Sequence, residues 1–170
     1  MLNTNNGKDI KMKEKIENEM NLEFLSKGTN EAFARITVAA FASQLDPTIE
    51  ELADIKTAVS EAVTNCIIHA YERKTGIIRI HAKLQENVIV IEISDNGKGI
   101  ANVEEAKEPL YTTKPNLERS GMGFTIMESF MDTMKVESIV GLGTKVTLIK
   151  KIKSNNSYSD KKETEMFEIN

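Results

Sequence analysis

The sequence has one cysteine, no tryptophan and no excess of basic residues. Cys66 alone can form neither an internal disulfide nor a multi-thiolate zinc site, which favours a reducing, cytoplasmic compartment. With 22 Lys and Arg against 26 Asp and Glu, the net charge is -4, so the chain lacks the basic surplus of an electrostatic nucleic-acid binder. No apolar run approaches the roughly 18 residues of a spanning helix, and the start lacks the apolar core of a secretory signal, so we expect no membrane association.

What remains is an ordinary globular composition. The chain has 170 residues, of which 40% are hydrophobic, and this is enough for one buried core without metal or disulfide staples. Residues 1–19 are polar with balanced charges, and residues 153–170 are too polar to bury a face. We therefore predict a flexible N-terminal arm at 1–19, one folded domain at 20–152 and a disordered tail at 153–170.

Apolar spacing predicts two helices in the first half of this domain, at residues 30–45 and at about 48–71, separated by Asp46 and Pro47. In the first helix, the residues at helical spacing are Phe33, Ile36, Thr37, Ala40, Phe41 and Leu45. In the second, the predicted buried stripe is Leu52, Ile55, Val59, Val63, Cys66 and Ala70.

The second half alternates with a period of two, which is typical of strands. Residues 78–84 and 88–93 predict one antiparallel hairpin, and residues 135–140 and 145–152 a second. A third helix is predicted at about 123–133. Because the strands are grouped with the helices and do not form strict βαβ units, the pattern indicates an α+β sandwich with helices over one sheet face.

The first candidate for chemistry is the pair Glu61 and Asn65, four residues apart on one face of the second helix. A carboxylate there can accept a proton from an attacking hydroxyl group. The Asn carbonyl oxygen can ligate a hard cation such as Mg²⁺ that also holds substrate phosphates. The alternative is a solvated helix edge.

A second candidate follows the strand 88–93, where Asp95, Gly97 and Gly99 form an Asp-x-Gly-x-Gly turn. The two glycines allow tight turns and close approach of a ligand. A half-buried Asp95 needs a donor, which the exocyclic amine of adenine supplies and the oxygen of guanine does not. The alternative is a glycine-rich turn in which the Asp caps the next helix.

The third candidate is Gly121-x-Gly123 at a helix start, where unpaired backbone N–H groups favour anions such as phosphate. Lys114 and Arg119 can add charge to it, and the polar, Pro-containing segment 108–119 has the character of a mobile lid. A fourth, Gly143 with Thr144, reads by itself as a hairpin turn.

In this order the four signals resemble the N, G1, G2 and closing Gly-Thr boxes of the GHKL (Bergerat-fold) ATPase superfamily. Residues 55–65, 109–115 and 117–128 extend the likeness to the anti-sigma F factor (SpoIIAB) family within it, and the resemblance covers about residues 18–152. It implies a two-layer α/β sandwich with a mixed, mostly antiparallel sheet and helices on one face.

The resemblance further implies a protein serine kinase that uses ATP and Mg²⁺. Glu61 is then the general base, Asn65 the Mg²⁺ ligand and Asp95 the group that reads adenine. The remaining ATP contacts implied are Gly97, Gly99, Lys114, Arg119, Gly121, Gly123 and Thr144.

The partners implied are sigma factor F, which the ATP-bound homodimer sequesters, and the anti-anti-sigma protein SpoIIAA, which is phosphorylated on a serine. The implied dimer surface covers residues 21–45, where Arg35 is a candidate partner contact or simply a surface arginine. The competing interpretation is an ATP-gated anti-sigma module of the general-stress type, with another sigma partner or without kinase activity.

Overall fold

The computed structural model describes residues 16–72, 74–109 and 121–153. In chain order, the elements are β1 (Asn18–Leu25), α1 (Thr29–Ala42), α2 (Ile49–Asn65), β2 (Ile77–Gln85), β3 (Val88–Asp95), α3 (Val103–Lys107), α4 (Gly123–Phe130), β4 (Thr133–Ile139) and β5 (Gly143–Lys151). Within these ranges, no helix is both long and apolar enough to traverse a bilayer.

The five strands form one sheet in the order β1-β2-β3-β5-β4. Burial alternates along β2, where Ile78, Ile80 and Leu84 face the core while Arg79 on the opposite face is exposed. The core fills the space between this face of the sheet and the helices α1, α2 and α4. The predicted α+β sandwich with helices over one face is therefore confirmed. The expectation of a mixed sheet is corrected, because every pairing between the described strands is antiparallel.

Helix α1 lies where the spacing predicts it, but only part of the predicted stripe is buried. Ala34, Val38 and Ala42 are fully buried, whereas Phe33 and Ile36 are 51% and 60% exposed. The helix then tightens into a 3-10 turn at Ser43–Leu45 and ends at Asp46, which adopts a left-handed conformation. Phe41 from the predicted stripe is buried, so the buried side of the helix combines this large side chain with the smaller Ala34, Val38 and Ala42.

Helix α2 begins at a capping box in which Thr48 and Glu51 satisfy each other's backbone N–H groups. Its predicted stripe is buried at Ile55, Val59 and Val63. After Asn65 the helix continues as a π-helical turn at Cys66–Ala70. The helical path therefore ends at Ala70, close to the prediction, but its last turn is wider than an α-helix. Such turns often occur at functional sites.

The structure departs from the predictions at several element boundaries and in one additional helix. Strand β1 begins at Asn18, inside the segment expected to be a polar arm, and the short helix α3 was not predicted. Helix α4 ends at Phe130, not Thr133, because the Nζ of Lys150 donates to the carbonyl oxygen of Phe130 at 2.6 Å and the chain turns into β4. Lys150 comes from a distant strand, so no local signal marks this end.

Candidate functional site

A cavity of about 430 Å³ opens between α2, the end of β3 and the start of α4. Its floor is apolar, with Ile93 and Val146 from the sheet and Ala62 from α2. Polar groups approach it from three sides, namely Asn65 on α2, Asp95 at the end of β3 and the backbone around Gly123. A mainly apolar pocket of this size with a few convergent polar groups is typical of a small-molecule site.

Among the described residues that line the cavity, Asp95 is the only charged side chain that is almost fully buried, with 5% exposure. Burial raises the pKa of its carboxyl above the usual 3.8, while hydrogen bonds from Gly97 N, the Cys66 thiol and Thr144 N act in the opposite direction. The bond from Gly97 N to Oδ1 is 2.8 Å long. The Gly97 N–H therefore holds one carboxylate oxygen, and a ligand atom that meets the carboxylate favourably is itself a donor.

Glycines allow the backbone segments around Asp95 to pack closely against one another. A Cβ at Gly97 would collide with the backbone of Ala70, and one at Gly143 with the carbonyl oxygen of Asp95. Gly99 has a φ of +72° and passes against the carbonyl oxygen of Ile139. At these three positions the backbone approaches so closely that no side chain fits, which explains the spacing found in the sequence.

Glu61 and Asn65 meet the start of α4. A Cβ built on Gly123 would lie 3.2 Å from Oε2 of Glu61 and 3.2 Å from Oδ1 of Asn65. Gly123 therefore leaves a gap through which both oxygens face the first turn of α4, whose N–H groups lack intrahelical partners. An anion and a cation fit side by side in such a place.

The structure brings most of the predicted residues together. Those that line the cavity are Asn65, Asp95, Gly99, Gly121, Gly123 and Thr144. Gly97 and Glu61 lie directly behind this lining, against Asp95 and Gly123. Lys114 and Arg119, with nearly all of the predicted lid, lie outside the described residues. Arg35 is not part of the cavity and pairs with Glu31 on α1 at 3.4 Å.

Sequence reasoning missed several lining residues. Cys66 and His69 belong to the π-helical turn, and Asn102 and Glu105 to the unpredicted helix α3. An Asn three residues before a Glu is a cap signal that could have indicated α3, and the side chain of Asn102 does accept from Glu105 N. No local pattern places Cys66 beside Asp95, because the two residues are 29 positions apart.

Comparison with known proteins identifies the family of this chain. A family model described as the histidine kinase-like ATPase domain matches residues 26–150. The anti-sigma F factor of Clostridium acetobutylicum is 61% identical over 136 residues, covering 80% of this chain and 95% of that protein. This chain belongs to the anti-sigma F factor family. The family resemblance predicted from the sequence is thereby confirmed, and the ATPase domain assigns ATP binding to the chain.

Further anti-sigma F factors give the same result. That of Caldanaerobacter subterraneus subsp. tengcongensis is 64% identical over 138 residues, with 81% of this chain and 96% of that protein covered. Among solved structures, the RsbU and RsbW domains of Rv1364c from Mycobacterium tuberculosis match with a TM-score of 0.59 at 17% identity, covering 79% of this chain and 32% of that one. The similarity to this solved structure supports the fold of this anti-sigma F factor family member.

Proposed function

We propose that this protein is an anti-sigma factor and an ATP-dependent protein serine kinase. It sequesters sigma factor F and inactivates the anti-anti-sigma protein SpoIIAA by phosphorylating a serine. The observation that carries the proposal is the convergence of Glu61 and Asn65 on the start of α4, beside a cavity whose buried acceptor is Asp95. The printed name of the relatives, anti-sigma F factor, supports the sigma partner.

ATP fits the residues that are present. Asp95 is the proposed acceptor for the exocyclic amine of adenine, and Gly97, Gly99 and Gly143 let the neighbouring backbone pack closely around it. Gly121 and Gly123, at the start of α4, present N–H groups to the phosphates. Lys114 and Arg119 remain proposed phosphate contacts from their sequence positions, and Thr144 closes the cavity beside Asp95.

Mg²⁺ also suits the donor set, because it commonly takes one or two protein oxygens and completes its shell with phosphates and water. Among the described residues no three His, Cys, Asp or Glu side chains cluster as a self-sufficient metal site. Asn65 is the proposed protein ligand. When bound, the ion would neutralise charge on the phosphates during transfer.

Glu61 is the proposed general base. Its Oε2 lies beside Gly123 at the start of α4, where the proposed phosphate contacts would bring the terminal phosphate to an incoming serine hydroxyl. The carboxylate takes the hydroxyl proton as the serine oxygen bonds to the γ-phosphorus. The bond between that phosphorus and the β–γ bridging oxygen breaks, and ADP leaves. Asn65 and the α4 amides hold the phosphates in line.

The first test is intact-mass measurement of SpoIIAA after incubation with the protein and Mg-ATP, comparing wild type with Glu61→Gln. We expect one added phosphoryl group with wild type and a rate at least about 100-fold lower with the variant, the usual contribution of a general base. Isothermal titration should show similar ATP affinity for both. Glu50→Gln, an exposed glutamate at the start of the same helix, is the matched control and should retain the wild-type rate.

Two outcomes would contradict parts of this proposal. Equal rates for wild type and Glu61→Gln would remove the role assigned to Glu61. ATP binding without any phosphorylation by the wild type would leave an ATP-gated sequestering module, and capture of a sigma factor in the presence of ATP would then define its function.

A further inference from the structure

The junction of α2, α4 and β5 contains a charged side chain that the proposed kinase mechanism does not use. Among the described residues, Lys150 on β5 is the only buried lysine or arginine, with 8% exposure. Its Nζ donates to Oδ2 of Asp54 on α2 at 3.0 Å and to the carbonyl oxygen of Phe130, the last residue of α4, at 2.6 Å. A buried ammonium group is costly without such partners. This one charge therefore connects both helices to the sheet.

Helices α2 and α4 pack antiparallel, and Lys150 joins them at the end far from the proposed phosphate site. Glu61 on α2 lies beside Gly123, the first residue of α4. Asp54 precedes Glu61 by seven residues, so it lies on the same face of α2, about 10 Å back along the axis. Phe130 lies the same distance from Gly123, at the other end of α4. The lysine contact and the proposed phosphate site are therefore the two ends of one helix pair.

We infer that Lys150 is a positioning residue for phosphoryl transfer: by joining Asp54 to the last carbonyl group of α4, it fixes the register of α4 along α2. This inference rests on the proposed kinase function. The phosphates would move with the N–H groups of α4, whereas Glu61 moves with α2. A slide of one helix along the other would therefore separate the base from the reacting groups. Lys150 does not line the cavity, so it is not a catalytic residue.

A purely structural role is the competing explanation, because a lysine beside the last carbonyl groups of a helix stabilises that helix end by itself. The two roles differ in how a substitution of Lys150 combines with a substitution of Glu61. Loss of folded protein lowers the rate by the same factor whether or not the base is present. Loss of alignment lowers the rate only where there is a base to align, so its effect largely disappears in Glu61→Gln.

The test is a double-mutant cycle on the full chain, with phosphorylation of SpoIIAA by Mg-ATP followed by intact mass. Lys150→Met, which removes the charge and keeps a long apolar side chain, is made in wild type and in Glu61→Gln. Asp54→Ala, at a side chain that is 30% exposed, removes the connection to α2 and leaves the bond to α4 in place. Lys145→Met on the same strand is the matched control, since Lys145 pairs with Glu137 at 3.2 Å on the surface. Urea denaturation gives the folded fraction of each variant.

We expect Lys150→Met to lower kcat by at least about tenfold, because a small displacement between reacting groups is enough for such a loss. Asp54→Ala should lower kcat similarly, and Lys145→Met should leave it unchanged. In the Glu61→Gln background, Lys150→Met should change the remaining rate by less than about twofold. The affinity for ATP should change little, because the adenine side of the cavity is untouched.

Equal factors for Lys150→Met in the two backgrounds would overturn the inference and leave the lysine a structural role. A wild-type rate for Asp54→Ala would also overturn it, since the lysine would then act only on the end of α4. Should Lys150→Met fail to fold, Asp54→Ala in the same two backgrounds decides the question in the same way. These outcomes leave the proposed kinase function standing, whereas no phosphorylation by the wild type would refute that function and the inference with it.

Discussion

At the scale of single residues, Asp95 is a buried carboxylate that destabilises the folded state and serves as the proposed acceptor for adenine. Its carboxylate is buried beside an apolar floor, and that burial raises its pKa, which is an energetic cost to the folded state. Backbone N–H groups and a thiol recover part of this cost. The carboxylate remains an acceptor beside apolar side chains, where a hydrogen bond is electrostatically stronger than in water.

Asp95→Asn is therefore expected to weaken ATP binding by at least about tenfold, since the side-chain amide loses the charge and half of the acceptor positions. Isothermal titration at pH 7 checks this. The matched control is Asp46→Asn, at an exposed position outside the cavity whose left-handed conformation Asn also tolerates. ATP affinity unchanged by Asp95→Asn would exclude the residue as the group that reads adenine.

The same residue makes a prediction for stability. Because the pKa is raised in the folded state, that state binds a proton more readily than the unfolded chain does. The contribution of Asp95 to the free energy of unfolding therefore falls as pH rises from 3.8 through the raised pKa. Urea denaturation across this window should show that fall in wild type and lack it in Asp95→Asn.

At the scale of elements, the start of α2 has two functions, to begin the helix and to hold the end of the sheet. Oε2 of Glu51 accepts from Thr48 N at 2.9 Å, and Oε1 accepts from Lys153 N at 2.8 Å. Burial alone would raise the pKa of this carboxyl, but the bonds from Lys153 and Thr48 outweigh it and hold the pKa below 4.5. One side chain thus connects the helix that carries Glu61 to the chain just after β5.

Glu51→Gln should lower the free energy of unfolding by about 1–2 kcal/mol, because the amide has one acceptor oxygen for two donors and leaves one N–H unpaired. Chemical denaturation at pH 7 measures this, with Glu50→Gln as the exposed control. Since the folded-state pKa is lowered, the stabilisation is present above 4.5 and is lost as pH falls through the folded-state value. Equal stability of wild type and Glu51→Gln at pH 7 would show that the bonds contribute nothing.

At the scale of the whole molecule, helix α1 carries two large apolar side chains on its exposed side. Phe33 is 51% and Ile36 60% exposed, and Leu25 at the end of β1 is 45% exposed. Arg35 lies between the first two and keeps its side chain 43% exposed. The exposed Phe33 and Ile36 on α1 support the proposed homodimer contact, with Arg35 available to a partner.

The double substitution Phe33→Asp with Ile36→Asp should convert the dimer to a monomer, because it places charges in an apolar contact. Sedimentation velocity with Mg-ATP present measures the change. Ile49→Asp is the control, since Ile49 is 90% exposed at the start of α2 and lies outside this surface. A double variant that sediments as wild type does would place the dimer contact elsewhere.

Much of this molecule follows from local sequence. The helices at 30–45 and 48–71 and both hairpins are specified by apolar spacing and turn residues, and the structure confirms them within a few residues. The Glu61 and Asn65 pair and the Asp95 and Gly99 turn are equally local, since each depends on spacing within one element. The spacing does not show whether these elements lie close together. In the structure, residues from each of them line one cavity.

The sequence by itself determined the type of each main element and the residues able to do chemistry, because helix period, strand period and glycine turns act over a few positions. Only the tertiary structure decided which side chains of α1 are buried, where α4 ends, and that Cys66 and Asp95 line the same cavity. Each of these depends on contacts between residues 20 or more positions apart in the chain or in separate elements. The packing of the whole core selects them, and no local pattern encodes that selection.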